Sequence, residues 1–427
     1  MPTPLDGYFI GLMSGTSGDG MDAVIVHFQG QQQQLIAAHT TPWPAPLRQQ
    51  LLDLARPGGG HYASDPLGQN DPLGQNDQND QNDQSDQSDQ SDQLGQLDQS
   101  DPLGQNDQLG QLDQIDQLGQ LDQQLGEQLA SAVEQLLAEA ALTPGEIRAI
   151  GSHGHTLRHR PTGRYPFTLQ IGDPNRIAQQ TGITTIADLR RRDLAAGGQG
   201  APLAPAFHAA YLASPDESRA ILNLGGIANL TLLPSHRAPI LGFDSGPANT
   251  LLDRWAERHL QQPCDYHGAW GASGTPHPQL LSRLLSDPYL TQSPPKSTGP
   301  EHFSLTWLAQ HLRSLEALPP QDIQATLVAF TSQTIADMLL RYLPTCQRLI
   351  ACGGGVHNRV LMQQIASQIA PIPLHTTAEY GIDPDFVEAI AFAWLARQTL
   401  SGLPANLPEV TGARQSVVLG GLWGSRF

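Results

Sequence analysis

Apolar blocks separated by glycine-rich turns set the rhythm of this 427-residue chain. The first block reads GYFIGLM, and after the turn SGTSGDG comes a second apolar run, AVIV. Two such runs joined by Gly, Ser, Thr and Asp predict a β-hairpin whose backbone N–H groups can cradle an anion. The element recurs at 220–233, AILNLGGIANLTLL, again an apolar run, a glycine turn and a second run. At 349–366, LIACGGGVHNRVLMQQIA predicts a buried strand, three glycines and a helix. A different period appears at Leu109, Leu112, Ile115, Leu118, Leu121, Leu125 and Leu129. Spacing of three or four residues predicts one face of an amphipathic helix that runs on into LGEQLASAVEQLLAEA.

Composition changes the picture in one place. Residues 65–124 are a low-complexity insertion of short repeats, DPLGQN, then Gln-Asn-Asp and Gln-Ser-Asp triplets, then LGQLDQ. The triplets have no apolar residue with which to offset the entropy of ordering, so they are expected as a solvated loop or a frayed polar helix. A repeat expansion on a surface hairpin is tolerable, because closing a longer loop costs only ~0.6 kcal/mol per doubling of length. The formal net charge is −18, and 14 aspartates between Asp65 and Asp122 account for most of it. The rest of the chain is nearly neutral, with no basic cluster to suggest nucleic acid.

Cys264, Cys346 and Cys352 have no metal-ligand spacing, and their odd number fits a reducing compartment. No basic n-region opens the chain, and no stretch nears the ~18 apolar residues of a membrane helix. A cytoplasmic protein without membrane partners is the expectation.

The first turn lacks the Gly-Lys-Ser/Thr of a Walker loop, and a strand rather than a helix follows it. Asp19 and Asp22 beside it are candidates to hold Mg²⁺, directly or through water. Strand–turn–strand units placed early and again mid-chain suggest two related halves that offer backbone donors to the phosphates of a nucleotide. The triple-glycine turn suits close approach to a flat ligand, because a bare Cα avoids Cβ clashes. His153-Gly154-His155 would place two imidazoles on one face of a strand, but further metal ligands at sensible spacing are missing.

GTSGDGMD, NLGGIANLT, FDSGPANTLLD and ACGGGVHNRVLM resemble the phosphate-1, phosphate-2, hinge and adenosine elements of the actin/hexokinase-like sugar kinases. GSHGHTLRH, TLQIGDP, IADLRRRDLAAGGQGAPLAPAFH, PPKSTG and GIDPDFVEAIAFAWLA narrow the resemblance to the anhydro-N-acetylmuramic acid kinase family. It implies an α/β protein of two ribonuclease-H-like domains with mixed five-stranded sheets and an ATP cleft between them. Domain I would span 1–215, domain II 216–385, and a C-terminal segment, 386–427, would return to domain I. The implied reaction adds water at C1 of the 1,6-anhydro sugar while O6 receives the γ-phosphoryl of ATP, with Mg²⁺ assisting. The product, N-acetylmuramic acid 6-phosphate, serves cell-wall recycling.

The same resemblance implies phosphate contacts from Gly15, Thr16, Ser17, Gly18, Asp19, Gly20, Met21, Asp22, Gly225, Gly226 and Asn229. Adenosine would meet Gly353, Gly354, Gly355 and Asn358. His153, His155, Gln170 and Asp244 are the candidates for contact with the sugar, and Asp188 of IADLRRRD is carried over as the base that activates water. Of Arg190, Arg191 and Arg192, one would pair with Asp193 or steer an anionic group, unless the run is simply solvated. Gly18, His155 and Pro300 stand where the family commonly has Leu, Gln and Arg. A homodimer is implied by the family alone. The alternatives are a kinase of the same fold acting on another sugar, or a non-catalytic nucleotide switch.

Overall fold

The computed structural model describes residues 3–15, 20–55, 114–235 and 238–424. β1 (Gly7–Met13) and β2 (Gly20–Gln29) flank the first glycine turn, and β3 (Gln32–Pro42) extends them as an antiparallel meander. After α1 (Ala45–Ala55) and α2 (Gln114–Glu139), β4 (Ile147–Ser152) returns parallel to β1. A separate antiparallel ribbon, β5 (His155–Arg160) and β6 (Phe167–Ile171), leads through α3 (Pro174–Thr181) to β7 (Thr185–Ala187), which runs parallel to β4. Two helices follow, α4 (Arg191–Ala195) and α5 (Ala204–Leu212).

The pattern then repeats. β8 (Arg219–Leu224), β9 (Ile227–Leu233) and β10 (Leu241–Pro247) form a second antiparallel meander. A helical stretch comprises α6 (Asn249–Leu260), α7 (Ala269–Ala272), α8 (Pro278–Leu285), α9 (Pro288–Thr291), α10 (Leu305–Leu312) and α11 (Pro320–Tyr342). β11 (Arg348–Cys352) then runs parallel to β8, and after α12 (Arg359–Gln368), β12 (Leu374–Thr376) runs parallel to β11. The chain closes with α13 (Val387–Leu400), α14 (Pro408–Thr411) and β13 (Gly421–Trp423).

Both sheets share one strand order, β3-β2-β1-β4-β7 and β10-β9-β8-β11-β12, three antiparallel strands followed by two parallel ones. This is the ribonuclease-H-like order expected from the sequence. The first sheet differs from expectation in having a sixth strand, β13, antiparallel to β7. Its three residues, GLW, are too few to carry an alternation signal.

Alternation along the longer strands explains the layering, because successive side chains point to opposite faces. Ile10, Leu12, Ala23 and Ile25 face an outer core with Leu121, Leu125, Leu129 and Val133 of α2. Phe9, Val24, Val26 and Phe28 face the other way, into a core shared with α5 and α13. That same core takes Ile221, Leu233, Ile350 and Cys352 of the second sheet, so both helices lie between the sheets. Leu222, Leu230 and Leu232 face outward onto α6, α11 and α12. The segment after 386, expected to return to the first half, therefore packs against both sheets.

Gly11 and Gly151 make the close approach of α13 possible. A Cβ at either position would collide with the carbonyl oxygen of Ala389 or Phe392. The apolar helix expected to begin near Leu109 is described from Gln114; Leu109 and Leu112 lie outside the described residues, and Ile115 is exposed. Among the described residues, no helix is long and apolar enough to cross a membrane.

Candidate active site

A cavity of ≈ 230 Å³ lies where β9, β10, the 295–297 loop, α13 and the 190–205 segment meet. Its polar lining comes from Asn223, Asn229, Asp244, Lys296, Arg190 and Glu388. Its apolar lining includes Pro202, Leu203, Phe243, Phe392 and Val410. A mixed lining of this kind suits a small polar molecule with apolar substituents.

Asp244 sits on β10 at a point where the pairing with β9 shifts register, between Asp244 and Gly246. Its backbone N–H donates to the Lys296 carbonyl at 3.2 Å, and its carbonyl accepts from the Tyr289 hydroxyl at 2.8 Å. Oδ2 accepts from the Thr298 N–H at 2.9 Å, while Oδ1 has no donor among the described residues. Burial pushes its carboxyl up to about 6, against the pull of the Thr298 N–H and the Lys296 charge. The carboxyl is thus fixed in place within the cavity lining.

Arg190 forms another wall. Its Nε and Nη2 donate to His153 Nε2 at 3.1 and 2.9 Å, and Nη1 donates to the Gly200 carbonyl at 3.0 Å. Because Nε2 accepts, the neutral ring carries its proton on Nδ1. Burial, followed by the charge of Arg190, holds His153 well below the usual histidine range. Burial lowers Arg190 to about 10, with the charge of Glu388 pulling the other way. Glu388, in the first turn of α13, opens into the cavity, yet the protein around it strips enough hydration to push its carboxyl up.

Asp188, carried over as the base, is placed differently. It does not line the cavity, and its Oδ1 accepts from Arg191 Nε at 2.7 Å in an ion pair. Its backbone is left-handed, φ 53, which is strained for a residue with a Cβ. Nor does it cap α4, whose N-cap is Arg190. Asp193 is fully buried and takes no arginine; it accepts from Gly200 N–H, Asn406 Nδ2 and Thr411 Oγ1 at 2.7, 2.7 and 2.8 Å. These bonds fasten the 198–200 loop, with Gln199 at the cavity edge, to the C-terminal segment.

The other expected sugar contacts are engaged away from the cavity. Gln170 Nε2 donates to Thr156 and Thr168, at 3.0 and 2.7 Å. His155 Nδ1 lies 3.1 Å from Ser14 Oγ, which donates to the Gly20 carbonyl and accepts from Trp43 Nε1. With the hydroxyl proton on Gly20, His155 Nδ1 is the donor to Ser14. His155 thereby braces the neck of the first glycine turn, and burial lowers its pKa to about 4. The two imidazoles do not share a strand face, because left-handed Gly154, φ 69, separates β4 from β5 between them. Among the described residues, no three His, Cys, Asp or Glu side chains cluster as metal ligands.

Of the expected phosphate contacts, Thr16, Ser17, Gly18 and Asp19 lie outside the described residues. Gly15 and Gly20 border them, and Met21 turns its side chain into the outer core, leaving only its backbone for a ligand. Asp22 accepts from Thr40 Oγ1 at 2.7 Å, and its carboxyl is pushed up, first by burial, with the Asp385 charge adding to it. Gly225 and Gly226 form the β8–β9 turn, and their carbonyls accept from Asn249 and from Ala248 and Thr250 at the start of α6. Asn229 lines the cavity rather than that turn.

The triple-glycine turn packs onto the end of β8. A Cβ on Gly353, φ 81, would strike Asn223 and Leu224, and one on Gly355 would strike Leu224, whereas Gly354 faces open space. Asn358 is occupied as the N-cap of α12, accepting from Leu361 N–H at 3.0 Å. Gly353 N–H donates to the Pro384 carbonyl, and His357 pairs with Asp385 at 2.9 Å. The Asp385 charge also acts on Asp22 of the first hairpin, so the loop bonded to the triple-glycine turn lies within electrostatic reach of that hairpin.

A family model described as "Anhydro-N-acetylmuramic acid kinase" matches residues 7–64 and 103–425. Curated relatives carrying that description include one from Xylella fastidiosa, 46% identical over 99% of this chain and 96% of its own. Another, from Xanthomonas campestris pv. campestris, is 46% identical over 97% of each chain, and one from Shewanella sp. is 45% identical over 98% of this chain and 99% of its own. Among solved structures, the ROK hexokinase from Thermus thermophilus aligns over 91% of this chain and 98% of its own, at 14% identity and a TM-score of 0.33. The sequence matches define an ATP-using sugar kinase. The chain belongs to the anhydro-N-acetylmuramic acid kinase family.

Lys296 and Glu388 were missed as site residues by sequence reasoning, although PPKSTG and DPDFVEAIAF were both singled out. The available signal was a single charge embedded in an apolar or small-residue run. The family model skips 65–102, the triplet-rich part of the low-complexity insertion, and resumes before α2.

Proposed function

We propose that the sugar binds at the cavity lined by Asp244, and that Asp188, two residues before Arg190 of the cavity wall, activates the water that opens the anhydro ring. The activity itself follows from family membership: the chain is an ATP-dependent kinase that phosphorylates anhydro-N-acetylmuramic acid in peptidoglycan recycling. The observation that supports the assignment of the base is the strained left-handed backbone of Asp188, in a motif whose next arginine but one lines the cavity. Its carboxyl is partly open to solvent and its partner Arg191 is largely exposed, so the ion pair leaves it able to meet a water.

In the proposed step, the Asp188 carboxylate takes a proton from water as the water oxygen bonds to C1, on the face opposite O6, as an inverting glycosidase base does. The C1–O6 bond breaks and the O6 electron pair bonds to the γ-phosphorus, while ADP leaves with the electrons of the broken P–O bond, so no separate general acid is needed. Asn223 and Asn229 supply amides and Arg190 a fixed cation to hold the sugar's polar groups. ATP lies between lobes 1–215 and 216–385, with its phosphates at the Gly225-Gly226 turn and the first hairpin. The adenosine rests against Gly354, and 386–427 closes the structure.

Mg²⁺ fits one observation here. Burial pushes up the carboxyls of Asp22 and Glu388, and the charges of Asp385 on Asp22 and of Asp22 on Glu388 add to it, so negative charge at this end of the cleft is under-compensated. Asp22, with water and the nucleotide's oxygens, would hold the ion, which supplies charge neutralisation during phosphoryl transfer. The protein is proposed as a cytoplasmic homodimer, which light scattering would test.

Turnover in ¹⁸O-labelled water tests the reaction. Label is expected at C1 of the phosphorylated product. Unlabelled product, or ATP consumption only with an already open sugar, removes the ring-opening step and leaves an ordinary sugar kinase.

A further inference from the structure

Two buried histidines stand either side of Gly154, and neither lines the cavity. His153 follows β4 and His155 opens β5, with Gly154 between them at φ 69. A Cβ on Gly154 would strike the Ile171 carbonyl, so the turn that parts the two rings requires glycine. His153 Nε2 accepts from Arg190 Nε and Nη2 at 3.1 and 2.9 Å, and Nη1 donates to the Gly200 carbonyl. Among the described residues that guanidinium bonds to no carboxylate, so a neutral ring and one carbonyl fix the direction of a cavity-lining cation. His155 turns the other way. Its Nδ1 lies 3.1 Å from Ser14 Oγ, which donates to the Gly20 carbonyl at 3.1 Å and accepts from Trp43 Nε1 at 3.3 Å. Ser14 follows β1 and Gly20 opens β2, so this small network ties together the two ends of the first glycine turn.

We propose that His153 and His155 are positioning residues with divided duties: His153 aims Arg190 at the sugar, and His155 holds the ends of the first glycine turn in place for the phosphates of ATP. This division rests on the reading that the sugar binds at the cavity and the phosphates at the first hairpin. Without the His153 acceptor, Arg190 keeps only the Gly200 carbonyl and its fork is free to swing away from the cavity. Without the His155 donor, Ser14 keeps only Gly20 and Trp43. A purely structural pair in one three-residue segment would disturb both substrates alike. The hydrogen bonds instead lead to different places, so the two effects should separate.

The test uses the full chain labelled with ¹⁵N. Spectra follow Arg190 Nε, assigned with Arg190→Lys, and the Trp43 indole Nε1, assigned with Trp43→Phe, while KM is measured for the anhydro sugar and for ATP. His153→Phe keeps a ring beside Phe392 but offers no acceptor. It should shift the Arg190 resonance and raise KM for the sugar about tenfold or more, the scale of a lost hydrogen bond to a charged group, with KM for ATP unmoved. His155→Leu should shift the Trp43 resonance and raise KM for ATP about three- to tenfold, with KM for the sugar unmoved. His153→Gln and His155→Asn, whose amides put an acceptor near Nε2 and a donor near Nδ1, should bring each KM back toward the wild-type value. Should phenylalanine prevent folding, His153→Leu is the second variant, with the same expected rise. Unmoved resonances overturn the proposal and leave both substrate sites as assigned. Moved resonances with unmoved KM values remove the assignment of the sites, and the proposal with it. Two KM values that rise together in either variant make the segment a common structural support and overturn the division.

Discussion

Asp188 and Asp244 occupy two segments built on opposite plans. Asp188 stands in the most distinctive run of the sequence, IADLRRRDLAAGGQGAPL, on a left-handed backbone and ion-paired to Arg191. Asp244 stands in the plainer FDSGP, its backbone tied at both N–H and C=O, one carboxyl oxygen bonded and the other free at a cavity. The distinctive run is a fastening device: Arg190 holds His153 and Gly200, and Asp193 holds Gly200, Asn406 and Thr411. The plainer motif holds one clamped carboxyl in a cavity wall. A long motif reports how many partners a segment must satisfy, and in this one the strained Asp188 stands among them.

The comparison breaks most readily at Asp188. Asp188→Asn keeps the shape but cannot take the proton, so kcat should fall by about 10²–10⁴-fold with ATP binding retained. Near-normal turnover would move the role to the other segment. Asp193→Ala should cost about 3 kcal/mol in urea unfolding, because it strands buried donors from Gly200, Asn406 and Thr411. A change under 0.5 kcal/mol would deny the fastening role.

A pH series separates the segments next. Burial lowers His155, His159 and His208 to about 4, and holds His153 well below the ordinary histidine value of about 6.5. The unfolded chain binds more protons as pH falls below 6.5, so their contribution is present above that pH and is lost toward 4. Asp244 opposes this, since a raised carboxyl favours the folded state as pH falls from 6 toward 3.8. The histidines outnumber it, so net stability should drop by about 2–4 kcal/mol between pH 7 and 5. Thermal melts that stay flat over that range would contradict their neutral burial. The smallest effect expected is that of Asp244→Asn. It keeps an oxygen for the Thr298 N–H and removes only the charge from the cavity wall, for a rise of about tenfold or less in KM for the sugar.

Much of the architecture was written in the sequence. Apolar runs around SGTSGDG and LGGIAN announced two hairpins, and those hairpins seed two sheets of the same order. The three-to-four spacing from Leu118 to Leu129 marked α2. The short strands β7, β12 and β13 have three residues each, too few for periodicity to register. The site was less visible. His153 and His155 look paired in sequence, but the left-handed turn at Gly154 sends one to Arg190 and the other to Ser14. Lys296 and Asp244 lie far apart along the chain, and only the loop that bonds back to β10 joins them.

Gly11 and Gly151 have a consequence for heredity as well as for packing. They let α13 rest against bare strand backbone, and the first turn of that helix carries Glu388 to the cavity. A methyl group at either glycine, in a buried strand that touches no ligand, would lever the helix away and carry a cavity carboxylate with it. A change with no bearing on substrate chemistry would then read, in an activity assay, as a fault in the active site.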